Sequence, residues 1–260
     1  VVKNQMQIKT DWILKNLSIS QLDDLSSTFN WFPGDLSECD RNSIEQDGIR
    51  LPLLVQSVED SKFRLVDGFK RLSWLKLVQG KSVEEYQQEQ LSCLIIPTFV
   101  SLRDVAKIRL ETLSADQTSF SGIHLCRVLN LLSKEGFSKN EIAFQVFPSL
   151  GLVSSVRLAG QLLDLQKKLV TSELHAESLL PESIMSMGYE DLLPLLKFSS
   201  SDFPFVVRLA EKMEVKGKKW RNMLQVLDEV ARLQQTTAAE ILQYPEIQKI
   251  MEDSNLQGPV

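Results

Sequence analysis

The stretch Phe63-Arg64-Leu65-Val66-Asp67-Gly68-Phe69-Lys70-Arg71-Leu72 decides how this chain is read. Phe63-Arg64-Leu65-Val66 alternates as a half-buried strand does, and Leu72, Leu75 and Val78 then repeat at helical spacing, with Gly80 placed as a C-cap. A strand that passes into a helix through Asp67-Gly68 leaves the first amide hydrogens of that helix pointing outward, with about half a positive charge at that end. Anions collect at such an end. Gly68 allows close backbone approach or a positive φ. Lys70 and Arg71 add a point charge and a planar fork suited to phosphate oxygens. Asp67 would cap the helix or hold a divalent metal. The plainer alternative is an ordinary Asp-Gly turn with two solvated cations, and the residues alone leave both open.

Outward from this bend, Leu51-Pro52-Leu53-Leu54-Val55-Gln56 and Ser92-Cys93-Leu94-Ile95-Ile96-Pro97 read as further short strands, and a short helix begins near Asp40 and ends at Gly48. Strands alternating with helices predict an α/β layer domain over residues 1–100. Past Ser101 the strand signals stop. Leu125, Val128, Leu129 and Leu132 mark one amphipathic helix ended by Gly136; Leu158, Leu162, Leu165 and Leu169 mark another. Met223, Val226, Leu227, Val230 and Leu233 mark a third, and Phe198 to Pro204 reads as a junction. The expected fold class is therefore α+β. A mixed domain is followed by a helical region over 101–200 and a helical extension over 201–260, whose tail from Asp253 frays.

Composition narrows the classes. With 260 residues, 43% hydrophobic and 24% charged, the chain is that of a folded protein. No apolar run is long enough for a membrane span, and the first residues show no secretory pattern. Cys39, Cys93 and Cys126 are widely spaced and form neither a metal pattern nor a disulfide framework, which fits a reducing cytoplasm. His124 and His175 have no ligands at metal spacing. The net charge of −5 opposes indiscriminate binding to nucleic acid but leaves room for a local basic face.

A second feature lies at about 138–165. Ser138 with Glu141 three residues on is a capping box opening a short helix, which Phe147-Pro148 is expected to break. A longer helix from about Leu152 through Leu165 would follow. Short helix, turn, long helix is the helix-turn-helix plan, whose second helix enters the major groove. Ser154, Ser155 and Arg157 are the candidates for reading base edges, Arg157 being the one able to grip guanine with two hydrogen bonds. Lys218, Lys219 and Arg221, around Trp220, are candidates for phosphate contacts. Two helices packed in a bundle, and a solvated basic run, are the alternatives.

The order Ser43-Ile44, Gly48-Ile49-Arg50-Leu51-Pro52-Leu53, Phe63 to Arg71, a helix, then Leu94-Ile95-Ile96-Pro97 resembles the ParB/sulfiredoxin-type domain of partition proteins. Asp67-Gly68-Phe69-Lys70-Arg71 is similar to the D-G-x-x-R form of that family's turn, and Leu162-Leu163-Asp164-Leu165 to the L-L-x-L that comes after its helix-turn-helix. The resemblance implies nucleotide phosphates, those of CTP with Mg2+, at Gly68, Lys70 and Arg71. The family's E-N-x-x-R box falls on Glu111 to Ala115, with Thr112 for the asparagine and Ala115 for the arginine. By resemblance, Thr112 would be a further nucleotide contact and Glu111 a catalytic acid for weak CTP hydrolysis. The sulfiredoxin branch needs a cysteine in the turn, and this turn has none.

The resemblance further implies double-stranded DNA as partner, a homodimer, a Walker-type partition ATPase, and a place on the nucleoid or a plasmid. The expected function is DNA binding in plasmid or chromosome partition or related regulation, switched by a cytidine nucleotide. Two other readings stand beside it. One is a phosphotransfer or nuclease enzyme built on Asp67, as a metal ligand, and Arg71. The other is a protein-interaction adaptor without nucleotide.

Overall fold

The computed structural model describes residues 12–23, 28–31, 36–58, 62–78, 88–112, 121–171, 181–213 and 215–252. It is a mixed α/β protein with two compact units, residues 1–116 and 117–260. The division falls at 116 rather than at 100, and residues 201–252 belong to the helical unit.

In the first unit the strands are β1 (Ile13–Ser18), β2 (Leu22–Asp23), β3 (Leu53–Ser57), β4 (Phe63–Asp67) and β5 (Gln90–Ile96), in the sheet order β1-β5-β3-β4-β2. Central β3 runs antiparallel to β4 and parallel to β5. Strand β1 closes antiparallel on β5, and β2 lies parallel to β4. The continuous run Leu53-Leu54-Val55-Gln56 is buried throughout, as a central strand covered on both faces must be. Gln56 is tolerated there because its Nε2 donates to the Val100 carbonyl at 2.8 Å. Strand β3 begins two residues later than the apolar run from Leu51. Leu51 and Pro52 instead turn their carbonyls toward Arg71.

Among the described residues, three helices complete this unit: α1 (Glu38–Asp47), α2 (Phe69–Val78) and α3 (Leu102–Thr112). The Ser37 Oγ caps α1 by accepting from the Asp40 amide, and Gly48 ends it. The Arg41 guanidinium lies 4.8 Å from the ring centre of Trp74, joining α1 to α2. Gly80, expected to end α2, lies outside the described residues.

The second unit is helical. It opens with α4 (Gly122–Lys134). A turn of α-helix (Lys139–Glu141), a π-helical turn (Ile142–Val146) and another α turn (Phe147–Ser149) then run on without a break. These three together, residues 139–149, are α5. Next come α6 (Val156–Thr171), α7 (Glu182–Met185), α8 (Tyr189–Leu192), a 3-10 turn (Leu193–Lys197) and α9 (Phe203–Met213). The last three are α10 (Gly217–Leu233), α11 (Ala238–Leu242) and α12 (Pro245–Glu252). Among the described residues, no helix is long and apolar enough to cross a membrane.

One sequence expectation needs correction here. Pro148 does not break the first helix of the pair. A proline inside a helix lacks an amide hydrogen and crowds the carbonyl four residues back. The chain accommodates it by widening into the π turn, in which the Phe147 amide donates to the Ile142 carbonyl. The helix then continues to Ser149. Phe198 to Pro204 is a junction within the helical half, as expected, between the 3-10 turn and α9. Buried Asp202 accepts from Ser199 Oγ at 2.7 Å and from the Ala239 amide at 3.0 Å, so one carboxylate holds the starts of α9 and α11 together.

Candidate functional site

In the first unit, β4 delivers Asp67 and Gly68 to the start of α2. Gly68 has φ +103°, which other residues adopt only under strain, and it is buried. A Cβ there would meet Leu53 Cδ2 at 2.4 Å and Arg71 Nη2 at 3.2 Å. The glycine is therefore required by packing against β3, whatever else it does.

Arg71 folds back over the bend. Its Nη1 donates to the Leu51 carbonyl at 2.6 Å, and its Nη2 stands 3.6 Å from the Asp67 carboxylate. Burial pushes this guanidinium below its ordinary value, while Asp67 and then Asp40 oppose that shift. Lys70 is half-buried on the next turn and forms no ion pair among the described residues.

Arg109 belongs to none of the motifs visible in the sequence. Only 7% of its surface is exposed, and its Nη1 meets Asp67 Oδ1 at 2.8 Å and donates to Thr112 Oγ1 at 3.0 Å. Burial lowers its pKa, Asp67 raises it, and Arg71 lowers it again. Its Nε is buried with no hydrogen-bond partner among the described residues. Asp67, Arg71, Arg109 and Thr112 thus form one cluster at the end of β4. The two stretches that suggested nucleotide chemistry are joined through a residue neither contained. A helical offset of three from Thr112 was the available signal, but only the sheet brings Asp67 to meet it. Glu111 is exposed at the end of α3, and Leu113 to Ala115 lie outside the described residues. A divalent cation at Asp67 would face two guanidinium groups. Among the described residues, no group of His, Cys, Asp and Glu could hold a metal ion. Burial raises the Cys93 thiol to about 11 and the Cys126 thiol to about 12, so neither is a ready nucleophile.

In the second unit, residues 139–171 hold two consecutive helices, α5 and α6, joined by a short turn. Helix α5 ends with the Leu152 amide bonded to the Phe147 carbonyl at 2.8 Å and the Gly151 amide to Pro148 at 3.1 Å. Gly151, at φ +68°, provides the left-handed residue this ending needs. Helix α6 starts at Val156, later than expected, because Ser155 caps it: the Leu158 amide donates to Ser155 Oγ at 3.2 Å. Ser155 is thereby occupied, while Ser154 is exposed in the turn and Arg157 is exposed in the first turn of α6. Ala159, Leu162, Leu163, Leu165, Gln166 and Leu169 form the buried side of α6. Arg157, Gly160, Gln161 and Asp164 fall on the opposite side, as the helical period requires.

No protein-family model matches this chain, and no curated protein matches it.

The basic run opening α10 is divided by the structure. Trp220 is core, and its Nε1 donates to the Asp191 carbonyl at 2.9 Å. The Asp191 carboxylate accepts from the Gly217 amide at 3.0 Å, capping α10, and pairs with Arg221. Arg221 is committed to that pair. Lys218 and Lys219 are exposed in the first turn. Each stands at the positive end of the helix, where a cation costs about 0.3–1 kcal/mol. Neither lysine forms an ion pair among the described residues, and the Asp191 carboxylate that caps this end offsets part of that cost.

Proposed function

We propose that this chain binds duplex DNA with α6 in the major groove, as a ParB-like protein of plasmid or chromosome partition or related regulation. The observation that carries the reading is Arg157, exposed in the first turn of a capped helix whose other face is buried. An arginine there can reach the O6 and N7 atoms of guanine. Exposed Ser154 lies just ahead of it, and Lys218 and Lys219 are suited to phosphate oxygens. A helix-turn-helix protein of this kind reads paired half-sites as a homodimer, and the resemblance adds a Walker-type ATPase as partner.

The test is selection from a random duplex pool, with affinity then measured at several salt concentrations. Binding should weaken linearly in log–log form as salt rises. Arg157→Ala should lose about 1–3 kcal/mol of discrimination at one base pair. Equal, weak affinity for every duplex would overturn the reading.

A second reading is favoured by the Nε of Arg109, which is buried without a partner among the described residues. An anion of the class of a cytidine nucleotide phosphate, with Mg2+ on the ligand's own oxygens, would take over both guanidiniums from Asp67 beside the start of α2. Asp67 competes for the same cations, so binding requires its displacement. Calorimetry with CTP, ATP and GTP, each with and without magnesium, tests it; no heat with any of them sets it aside. A metal-dependent enzyme built on Asp67 is disfavoured by the same two cations.

A further inference from the structure

Gly160 stands inside the sixteen-residue helix α6, on the side opposite its buried face. Glycine in a helix interior is less stable than alanine by roughly a factor of five in the helical equilibrium. Such a glycine needs a reason. Gly122 has an internal one, since a Cβ there would come within 2.7 Å of the Tyr189 backbone. Gly160 has none of that kind. A Cβ on it would meet only the Lys139 side chain, at 3.5 to 4.0 Å, which is ordinary contact with a flexible chain.

The surroundings of Gly160 are those of a contact surface for a polyanion. Arg157 lies one turn before it, Gln161 beside it and Asp164 one turn after, with Lys139 reaching across from α5. The carboxylate of Asp164 is partly balanced by Lys167 at 3.5 Å. Arg157, Lys139 and Lys167 leave the face cationic. Arginine and glutamine four residues apart are also the side chains that grip guanine and adenine edges with paired hydrogen bonds.

We infer that Gly160 is the point of closest approach between α6 and the floor of the major groove, with Arg157 and Gln161 reading bases on its flank. The bare backbone lets the helix sink far enough for both side chains to reach base edges. This rests on the DNA-binding reading and assigns that site its specificity-determining residues.

The full chain is used with a duplex selected by the wild type from a random pool. Gly160→Ala is expected to raise the melting temperature, and Gly160→Leu to leave the fold intact, because a side chain there meets only the flexible Lys139 side chain, which can swing aside. Gly160→Leu should weaken binding to the selected duplex at least about tenfold, through loss of paired base contacts, and should leave weak binding to unrelated duplexes unchanged. Gln161→Ala should relax discrimination at one base pair while retaining the melting temperature. Equal affinity of wild type and Gly160→Leu overturns the inference while the DNA-binding reading stands. A lower melting temperature for Gly160→Ala also overturns it, by showing an internal need for glycine. A wild type that selects no duplex removes the DNA-binding reading itself, and the inference with it.

Discussion

The guanidinium of Arg109 meets the carboxylate of Asp67 at 2.8 Å, which ties α3 to the end of β4 across forty-two residues of sequence (109 − 67). Arg109 is nearly inaccessible, whereas Asp67 keeps 29% of its side chain exposed. Removing the carboxylate leaves a buried cation with reduced compensation. Asp67→Ala is therefore expected to cost about 2–3 kcal/mol, below the full value for a buried pair because Asp67 is partly solvated. Adding Arg109→Met should recover much of it. Chemical denaturation of the two variants decides; additive losses would mean that the pair is not coupled.

Gly68→Ala should cost about 2–4 kcal/mol, from the positive φ and the overlap with Leu53 Cδ2. Adding Leu53→Ala relieves the overlap but not the backbone strain, so its penalty beside Gly68→Ala should be less than in the wild type. A denaturant series over the double-mutant cycle measures this.

Neighbouring serines at the start of α6 should behave differently. Ser155→Ala removes the cap and should lower stability by about 1 kcal/mol. Ser154→Ala, exposed and ahead of the helix, should change stability by less than about 0.5 kcal/mol. Equal thermal shifts for the two would contradict the capping geometry.

Stability should also fall in acid through His124. Its Nδ1 lies 2.9 Å from Ser121 Oγ, and burial, with the charge of Arg127 second, lowers its pKa below 6.5. The unfolded chain then binds the proton first. This contribution is complete above the unfolded value of 6.5 and is lost as pH falls through the lower folded value. Unfolding midpoints measured from about pH 7 down to about pH 5.5 should decline. His124→Gln should flatten that decline.

Much of the sheet was legible because β3, β4 and β5 carry their own apolar pattern. Strand β1 was not. In Ile13-Leu14-Lys15-Asn16-Leu17-Ser18 only Leu17 is buried, while Ile13 and Leu14 are exposed, as at the open edge of a sheet. Two residues of β2 are too few for a period to appear. The capping box at Ser138 was readable because it is local, and the structure contains it. The course of the chain through Pro148 was not, since a π turn leaves no simple spacing signal. At the candidate sites, Arg71 was visible in sequence, but its commitment to Leu51 and Asp67 depends on how strands pair. Arg109 and Asp191 were invisible for the same reason: each acts on a partner far along the chain.

The π turn at Ile142–Val146 has a consequence for how residues on either side of it are oriented. An α-helix advances about 100° per residue, so the extra residue in this turn rotates the Lys139 end of α5 relative to its Ser149 end. Deleting one residue from 142–146 would restore a regular coil and swing Lys139 by about that angle away from Gly160. The length of this helix is therefore a setting of azimuth, and an indel here would misalign the two halves of the motif while each kept its own shape.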